Sequence, residues 1–223
     1  MSEPRWGMVI DLDLCNGCQA CVVACQAENN VPLSDEEACL RGKELNWLRI
    51  QRYWVGDRVV LLPLMCQQCE MAPCEQVCPT FATAHSPSGL NEMTYNRCIG
   101  TRLCINACPY KVRVFNWREP RWPEPLGEQL NPDVSVRTRG VSEKCTFCVQ
   151  RIREAGWQSP PVQPVPACVQ TCPTRAIQFG DMNDPESAVA KLAHDPRAYC
   201  LLEDFGTKPA VIYLKKIEYE PDQ

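Results

Sequence analysis

Cysteine spacing constrains this chain more than any other feature, because one pattern recurs four times. Each run opens with two ligand positions separated by two residues and closes with C-x3-C; the runs are Cys15–Cys25, Cys66–Cys78, Cys98–Cys108 and, split in two, Cys145–Cys148 with Cys168–Cys172. In the third run Thr101 stands where the second cysteine is expected. The runs use fifteen of the seventeen cysteines, so an internal repeat organises the chain.

This spacing is typical of iron–sulfur ligation. Three cysteines at short spacing wrap a loop around one cubane, and the fourth, expected at the start of a helix, ligates a second cluster. Proline after the fourth cysteine turns the chain. Thiolates suit iron, and the only histidines are His85 and His194. The sequence therefore predicts iron held by cysteine; a zinc-built scaffold without redox chemistry is the alternative metal site.

If each run donates its last cysteine to another run, the runs must pair. A nested pairing joins run one with run four and run two with run three, whereas a sequential pairing joins neighbours, and spacing alone leaves both open. The nested ligand sets are, for cluster 1, Cys15, Cys18, Cys21 and Cys172; for cluster 2, Cys66, Cys69, Cys74 and Cys108; for cluster 3, Cys78, Cys98 and Cys104 with Thr101 at the vacant corner; for cluster 4, Cys25, Cys145, Cys148 and Cys168.

The vacant corner at Thr101 has a chemical consequence. A threonine hydroxyl does not ionise near neutral pH, so the iron at that corner lacks a thiolate and is labile. We expect a [3Fe–4S] cluster there, which typically has a higher reduction potential than a low-potential [4Fe–4S] neighbour. A [4Fe–4S] cluster with water or hydroxide as fourth ligand, or no cluster, are the other outcomes.

Composition excludes several classes. The net charge of -4 gives no reason to propose nucleic-acid binding. No uncharged apolar run reaches the roughly 18 residues of a transmembrane helix. The first residues, "MSEPRWGMVIDLDLC", show neither a secretory signal pattern nor a twin-arginine pair. No Ser/His/Asp set or paired carboxylates suggest catalysis.

Periodicity and turn residues predict short elements. Strands are expected at 8–15, 92–98, 112–117, 176–182 and 209–217, with a hairpin over 47–64 that turns at Gly56–Asp57. Short helices should follow Cys21 and Cys74 and occupy parts of 142–155 and 185–194, the last with Asp184 as N-cap. Residues 119–140 and 156–166, rich in Pro and Gly, are expected to be loops that contact partners.

Four further positions carry basic charge around run three: Arg97, Arg102, Lys111 and Arg113. A solvated face is the simplest interpretation, although these charges would also raise a cluster potential or meet an acidic partner. Cys39 and Cys200 lie outside the runs and are expected to be small buried hydrophobic residues.

The chain resembles a known family. The four runs, the hairpin and "CPYKVRVFNW" resemble the four-cluster iron–sulfur subunits of the complex iron–sulfur molybdoenzyme family, of the dimethyl sulfoxide and polysulfide reductase B-subunit type. The stretch "GLNEMTYNRCIGTRLCINACPYKVRVFNW" is similar to the branch in alternative complex III and the quinone reductase complex, which also carries threonine here with a [3Fe–4S] cluster. One departure is Gln26, which replaces proline after Cys25.

The resemblance implies an α+β fold: a duplicated, nested bacterial-ferredoxin-like dicluster fold with a β-hairpin insertion and long loops. It implies the nested pairing, with cluster 1 nearest a large subunit and cluster 3 nearest the membrane. The chain 1–223 is then one compact unit: half A from 8–46 plus 140–182, half B from 62–118, hairpin 47–64, loop 119–140 and a C-terminal extension 183–223.

The expected function is non-catalytic electron transfer. Three [4Fe–4S] clusters and one [3Fe–4S] cluster would relay electrons along clusters 1, 2, 3 and 4, between a large catalytic subunit of molybdopterin type and an NrfD-like membrane subunit that binds quinone. A soluble polyferredoxin shuttle is the alternative. As a subunit, the chain would be peripheral to the membrane through its partners, on the cytoplasmic face unless it is exported with a signal-bearing partner.

Overall fold

The computed structural model describes residues 3–157 and 162–217. In chain order its strands are β1 (Trp6–Asp11), β2 (Leu48–Val55), β3 (Arg58–Met65), β4 (Thr83–His85), β5 (Asn91–Met93), β6 (Val114–Phe115), β7 (Ser142–Glu143), β8 (Ile177–Asp181), β9 (Ala198–Tyr199) and β10 (Val211–Leu214). Its helices are α1 (Ala20–Glu28), α2 (Glu36–Leu40), α3 (Pro73–Gln76), α4 (Leu103–Ala107), α5 (Val149–Trp157), α6 (Ala167–Thr171) and α7 (Ala188–Ala193).

The largest sheet has four strands in the order β8-β1-β10-β9. Strand β1 pairs antiparallel with β8 and parallel with β10, so the first and the last of the described strands lie side by side in one sheet. Met8 and Ile10 pack into the main core, whereas Val9 faces the other way and packs with Val189 of α7. Because successive side chains alternate across a strand, β1 serves two cores, and its apolar residues Met8, Val9 and Ile10 face both of them.

The predicted hairpin is confirmed. Strands β2 and β3 pair antiparallel from Leu48–Met65 to Val55–Arg58, which leaves Gly56 and Asp57 as a two-residue turn. Gly56 has a φ of 60°, the left-handed conformation that such turns require. The hairpin base is buried at Leu48 and Met65, and its tip is exposed.

Four helices, α1, α3, α4 and α6, carry the third ligand position of a run as their second residue: Cys21, Cys74, Cys104 and Cys168. The prediction that the fourth cysteine begins a helix is therefore wrong. Cys108 and Cys172 instead cap helix C-termini, where the following proline prevents continuation. Gln26 permits continuation, so α1 runs past Cys25 to Glu28.

Other predicted elements differ in extent. The strands expected at 176–182 and 209–217 are present with trimmed ends, and the strand expected at 8–15 is present as β1, which both begins and ends earlier. Segment 92–98 is wrong as a strand beyond Met93, since Tyr95–Arg97 form a 3-10 turn, and 112–117 pairs only at β6. Helix α7 is capped by Ser187, whose Oγ accepts from Ala190 N at 3.1 Å; Asp184 accepts from Glu186 N instead.

The long loop after β6 is anchored to the end of α1. Apart from the 3-10 turn Leu126–Gln129 it has no regular structure. Asn30 Nδ2 donates to Asn131 O at 2.8 Å, and Arg137 Nη1 donates to Asn29 O at 2.7 Å. The two residues that follow α1 thus supply the backbone and side-chain groups that hold this loop.

Candidate iron–sulfur sites

The four runs share one backbone signature. The residue before each second ligand position has a positive φ: 71° at Gly17, 48° at Gln68, 74° at Gly100 and 57° at Phe147. This conformation turns the loop so that consecutive ligand positions face the same point. Thr101 therefore occupies the structural place that Cys18, Cys69 and Cys148 hold in the other runs.

The first three cysteines of run one meet the last cysteine of run four. Burial raises the pKa of the Cys21 thiol to about 11, and the neighbouring thiols of Cys15, Cys172 and Cys18 contribute to the rise. Burial likewise raises the pKa of Cys15, again with a contribution from Cys172. These four residues form thiol group 1, in which Cys18 is exposed.

Thiol group 4 combines the last cysteine of run one with the first three cysteines of run four. Burial raises the pKa of Cys25, and the adjacent thiols are those of Cys145, Cys148 and Cys168. All four cysteines are buried. Asn29 Nδ2 donates to Cys25 Sγ at 3.6 Å and to Cys148 Sγ at 3.7 Å, so one amide from the end of α1 bridges ligand positions from both halves of the group.

Thiol group 2 surrounds one small cavity lined by Cys66, Cys69, Cys74 and Cys108. Burial raises the pKa of Cys69 to about 12, and the thiols of Cys66, Cys74 and Cys108 contribute to the shift. Arg113 Nη2 donates to Cys74 Sγ at 3.1 Å. Run three thus contributes its last cysteine to the loop of run two.

Thiol group 3 lines a second small cavity with Cys78, Cys98, Cys104 and Thr101. Burial opposes ionisation of Cys78, but hydrogen bonds at Thr80, Thr83 and Ala82 outweigh it and lower the pKa of this thiol. The Ala82 amide donates to Cys78 Sγ at 3.3 Å. Thr101 is exposed, so the corner without a cysteine opens to the surface.

Electrostatic contacts between groups give their spatial order. The Cys21 thiol acts on Cys168, which makes groups 1 and 4 neighbours, and the Cys66 thiol acts on Cys145, which makes groups 4 and 2 neighbours. Arg113 faces both Cys74 and Cys104, and therefore lies between groups 2 and 3. The thiol groups therefore follow one another in the order 1-4-2-3, which differs from the expected path through clusters 1, 2, 3 and 4.

The donor sets fit iron–sulfur clusters. Buried thiols with raised pKa values remain neutral unless a metal replaces their protons. Two cations, Arg113 and Lys144, are buried beside these thiols and make no ion pair within the described residues. An anionic metal–thiolate group would balance them. In residues 3–157 and 162–217 no three His, Cys, Asp or Glu side chains converge closely enough for a single metal ion.

The sequence did not predict several residues that contact the thiol groups. Arg113 was expected on a solvated face, but it is only 4 % exposed, because β4 and β5 cover it. Asn29 and Lys144 carried no motif signal beyond their proximity to a cysteine run. The expectation that Cys39 is buried is wrong, since it is exposed on α2, and Cys200 is half-buried.

Comparison with known proteins identifies the family. Residues 58–124 match a model described as a 4Fe-4S dicluster domain, and residues 6–27 match a 4Fe-4S binding domain. The chain is 45% identical to the menaquinone reductase iron–sulfur cluster-binding subunit of Nitratidesulfovibrio vulgaris, over 96% of this chain and 90% of the relative. The chain belongs to the dimethyl sulfoxide reductase B-subunit family.

Other members of this family show similar coverage. The Hdr-like menaquinol oxidoreductase iron–sulfur subunit 1 of Archaeoglobus fulgidus is 40% identical over 95% of this chain and 83% of the relative. The protein NrfC of Escherichia coli is 32% identical over 92% of this chain and 78% of the relative. As a member of this family, the chain binds iron–sulfur clusters and transfers electrons within an oxidoreductase complex rather than catalysing its reaction.

The mixed α/β content and the ferredoxin-like dicluster domains agree with the fold class expected from the sequence. Among the described helices of this family member, none combines the length and apolarity needed to cross a bilayer.

Proposed function

We propose that this iron–sulfur protein relays electrons between a large catalytic subunit of molybdopterin type and an NrfD-like membrane subunit that binds quinone. The observation that carries this proposal is the arrangement of the four thiol groups. Groups 4 and 2, in the middle of the order 1-4-2-3, contain only buried cysteines. The outer groups reach the surface at Cys18 and Thr101. A relay needs this arrangement, because its inner carriers must be shielded and its terminal carriers must approach partners.

In this proposal the cysteines of groups 1, 2 and 4 hold three [4Fe–4S] clusters, and Cys78, Cys98 and Cys104 hold one [3Fe–4S] cluster. When bound, the clusters supply one-electron carriers whose potentials depend on cluster type, hydrogen bonds to sulfur and exposure. The chain contributes the order of the sites and the donors to sulfur, among them Asn29, Arg113 and the Ala82 amide.

The proposed architecture is nested. Half A comprises 8–46 with 140–182 and holds groups 1 and 4, while half B comprises 62–118 and holds groups 2 and 3. Hairpin 47–64, loop 119–140 and extension 183–223 complete the unit 1–223. The contribution of run four to both groups of run one supports this division.

The surface at the Thr101 end supports a protein partner. A groove beside Thr101 is lined by Lys43, Arg49, Arg102 and Lys111, with Glu44 as its acidic residue. None of these four cations forms an ion pair within the described residues. Arg102 and Lys43 instead lie over the Trp117 ring, 4.7 and 5.2 Å from its centroid. We assign this basic groove to an acidic segment of the membrane partner, which makes the chain peripheral to the membrane.

Purification and spectroscopy test the proposal. The chain should leave detergent-treated membranes with at least two partner subunits, whereas a soluble polyferredoxin shuttle would purify alone. Iron analysis should give about fifteen irons per chain, for three four-iron clusters and one three-iron cluster. The oxidised complex should show a near-isotropic three-iron EPR signal. A chain that purifies alone, or one with about sixteen irons and no such signal, would contradict the relay or the cluster assignment respectively.

A further inference from the structure

Arg113 is a buried cation whose partners are all neutral side chains or thiols. Its guanidinium donates to Cys74 Sγ at 3.1 Å, Thr83 Oγ1 at 2.8 Å and Asn91 Oδ1 at 3.0 Å. It forms no ion pair with a carboxylate in the described chain. Arginine keeps its charge in proteins, so a full positive charge lies between groups 2 and 3.

Lys144 is a second buried cation beside group 2. It is fully buried, and its Nζ donates to Asn91 O and, at 3.1 Å, to Cys145 O. Its charge acts on the thiols of Cys74 and Cys145, which belong to groups 2 and 4. No carboxylate pairs with it among the residues that the structure covers.

The surrounding carboxylates are engaged elsewhere. The buried Glu143 pairs with Arg137 at 2.9 Å. Glu75 accepts from Asn91 Nδ2 through one oxygen and contacts His85 Nδ1 at 2.7 Å through the other. The side chain of Asn91 thus lies between Glu75 and Arg113. Because an isolated buried charge is costly, the balancing negative charge must come from the thiol groups themselves.

We propose that Arg113 and Lys144 are fixed counter-charges that raise the reduction potential of the carrier in group 2. Adding an electron beside a buried cation is favourable, and a low local dielectric strengthens the effect. Arg113 extends the effect to group 3, and Lys144 extends it to group 4. The inference rests on the proposed relay, and it assigns the chain's own residues a role in setting potentials.

EPR-monitored redox titration of the purified complex tests the proposal. Arg113→Gln should lower the midpoint of one [4Fe–4S] component and of the three-iron centre, and Lys144→Met should lower two [4Fe–4S] components. The component lowered by both variants is the group 2 carrier. We expect its reduction equilibrium to change at least tenfold, which is about 59 mV for a one-electron couple. Arg113→Lys keeps the charge and should largely restore the midpoint.

A double variant that moves a carboxylate toward Arg113 tests the effect of charge without removing the hydrogen bonds of Arg113. The double variant N91D/E75Q leaves the net charge unchanged but moves a carboxylate against Arg113, while an oxygen at position 91 still accepts from Arg113 Nη2. It should lower the same component. If Arg113→Gln fails to retain iron, the midpoints of N91D/E75Q decide whether the charge of Arg113 raises the reduction potential.

Unchanged midpoints in N91D/E75Q and Lys144→Met, with full iron content, would overturn the counter-charge role and leave the relay intact. Wild-type complex that lacks iron or reducible centres would instead overturn the proposed function. The two failures are therefore distinguishable.

Discussion

Arg137 Nη2 lies 2.9 Å from Glu143 Oε2, and both side chains are sealed from solvent. Trp47 Nε1 donates to the same carboxylate oxygen at 3.0 Å, and Asn116 donates to the other. Through Arg137 the pair also reaches the carbonyls at the end of α1. One ion pair therefore links the long loop, the hairpin base and the segment that leads to Cys145.

Arg137→Met should destabilise the protein strongly, because it leaves Glu143 buried without its counter-ion. Removing one member of a buried pair typically costs about 3–5 kcal/mol. Chemical denaturation followed by circular dichroism measures the loss. Arg118→Gln is the control, since Arg118 pairs with Asp35 and Glu37 on the exposed surface and should have little effect. Equal losses in both variants would contradict the interpretation.

Gly100→Ala should impair group 3 more than Gly17→Ala impairs group 1. Both glycines have positive φ, so alanine adds strain of about 1–2 kcal/mol at either site. A Cβ at position 100 would also lie 2.5 Å from the Gly140 carbonyl oxygen, which is backbone, whereas at position 17 it meets the movable Leu61 side chain at 2.7 Å. Iron content and the three-iron EPR signal measure the difference. Equal iron loss from both variants would show that backbone strain alone decides.

Thr101→Cys should convert the group 3 site to a four-iron site, since Thr101 stands where the other runs carry a cysteine. Iron content should rise from about fifteen to about sixteen per chain, and the near-isotropic EPR signal should disappear. Thr101→Ser keeps a hydroxyl and should retain that signal. A cysteine variant that keeps the three-iron signal would mean that the loop, not the missing thiolate, selects the cluster.

Charge reversal in the basic groove should weaken attachment of the membrane partner. The double variant K43E/K111E replaces two cations beside Thr101. Salt weakens the attraction between such surface charges and a partner, with a screening length of roughly 8 Å at physiological ionic strength. We expect the detergent-solubilised complex to dissociate at a lower NaCl concentration, as measured by size-exclusion chromatography. R153E/K191E changes the net charge equally outside the groove and should dissociate like wild type. If this control also dissociates at a lower NaCl concentration, net charge rather than the basic groove controls attachment of the membrane partner.

Oxidative removal of iron should proceed in two phases. The outer groups open to solvent at Cys18 and Thr101, whereas every cysteine of groups 4 and 2 is buried. The three-iron EPR signal should therefore disappear early, while inner [4Fe–4S] signals persist. Iron release to a chelator, sampled with EPR, measures the phases. A single phase in which all signals fall together would indicate that opening of the whole fold controls release.

The sequence predicted local features that depend on a few neighbouring residues. The two-residue hairpin turn follows from Gly56 and the flanking apolar alternation. The ligand positions follow from spacing, and the structure brings together the cysteines that the nested pairing joins. The assignment of each set to a cluster remains a prediction.

What the sequence could not predict arises from contacts between distant segments. From the sequence Arg113 is expected at the surface, but in the structure Thr83 of β4 and Asn91 of β5 cover it. The spatial order 1-4-2-3 likewise depends on Cys66 lying near Cys145, which no spacing rule specifies. Even the short α7 has its N-cap at Ser187 rather than at Asp184, because Ser187 Oγ accepts from Ala190 N and donates to Asp181 O.

The parallel pairing of β1 with β10 has a consequence for synthesis. On the ribosome, groups 2 and 3 have all their members once Cys108 has emerged, so this half can close around iron early. Groups 1 and 4 wait for Cys168 and Cys172, and β1 stays without its parallel partner until Val211–Leu214 arrive. Because domains generally fold as they emerge, a chain stalled between Cys108 and Cys168 holds one finished half and one open half. Among the described strands, the last to be synthesised, β10, is therefore the parallel partner of the first, β1.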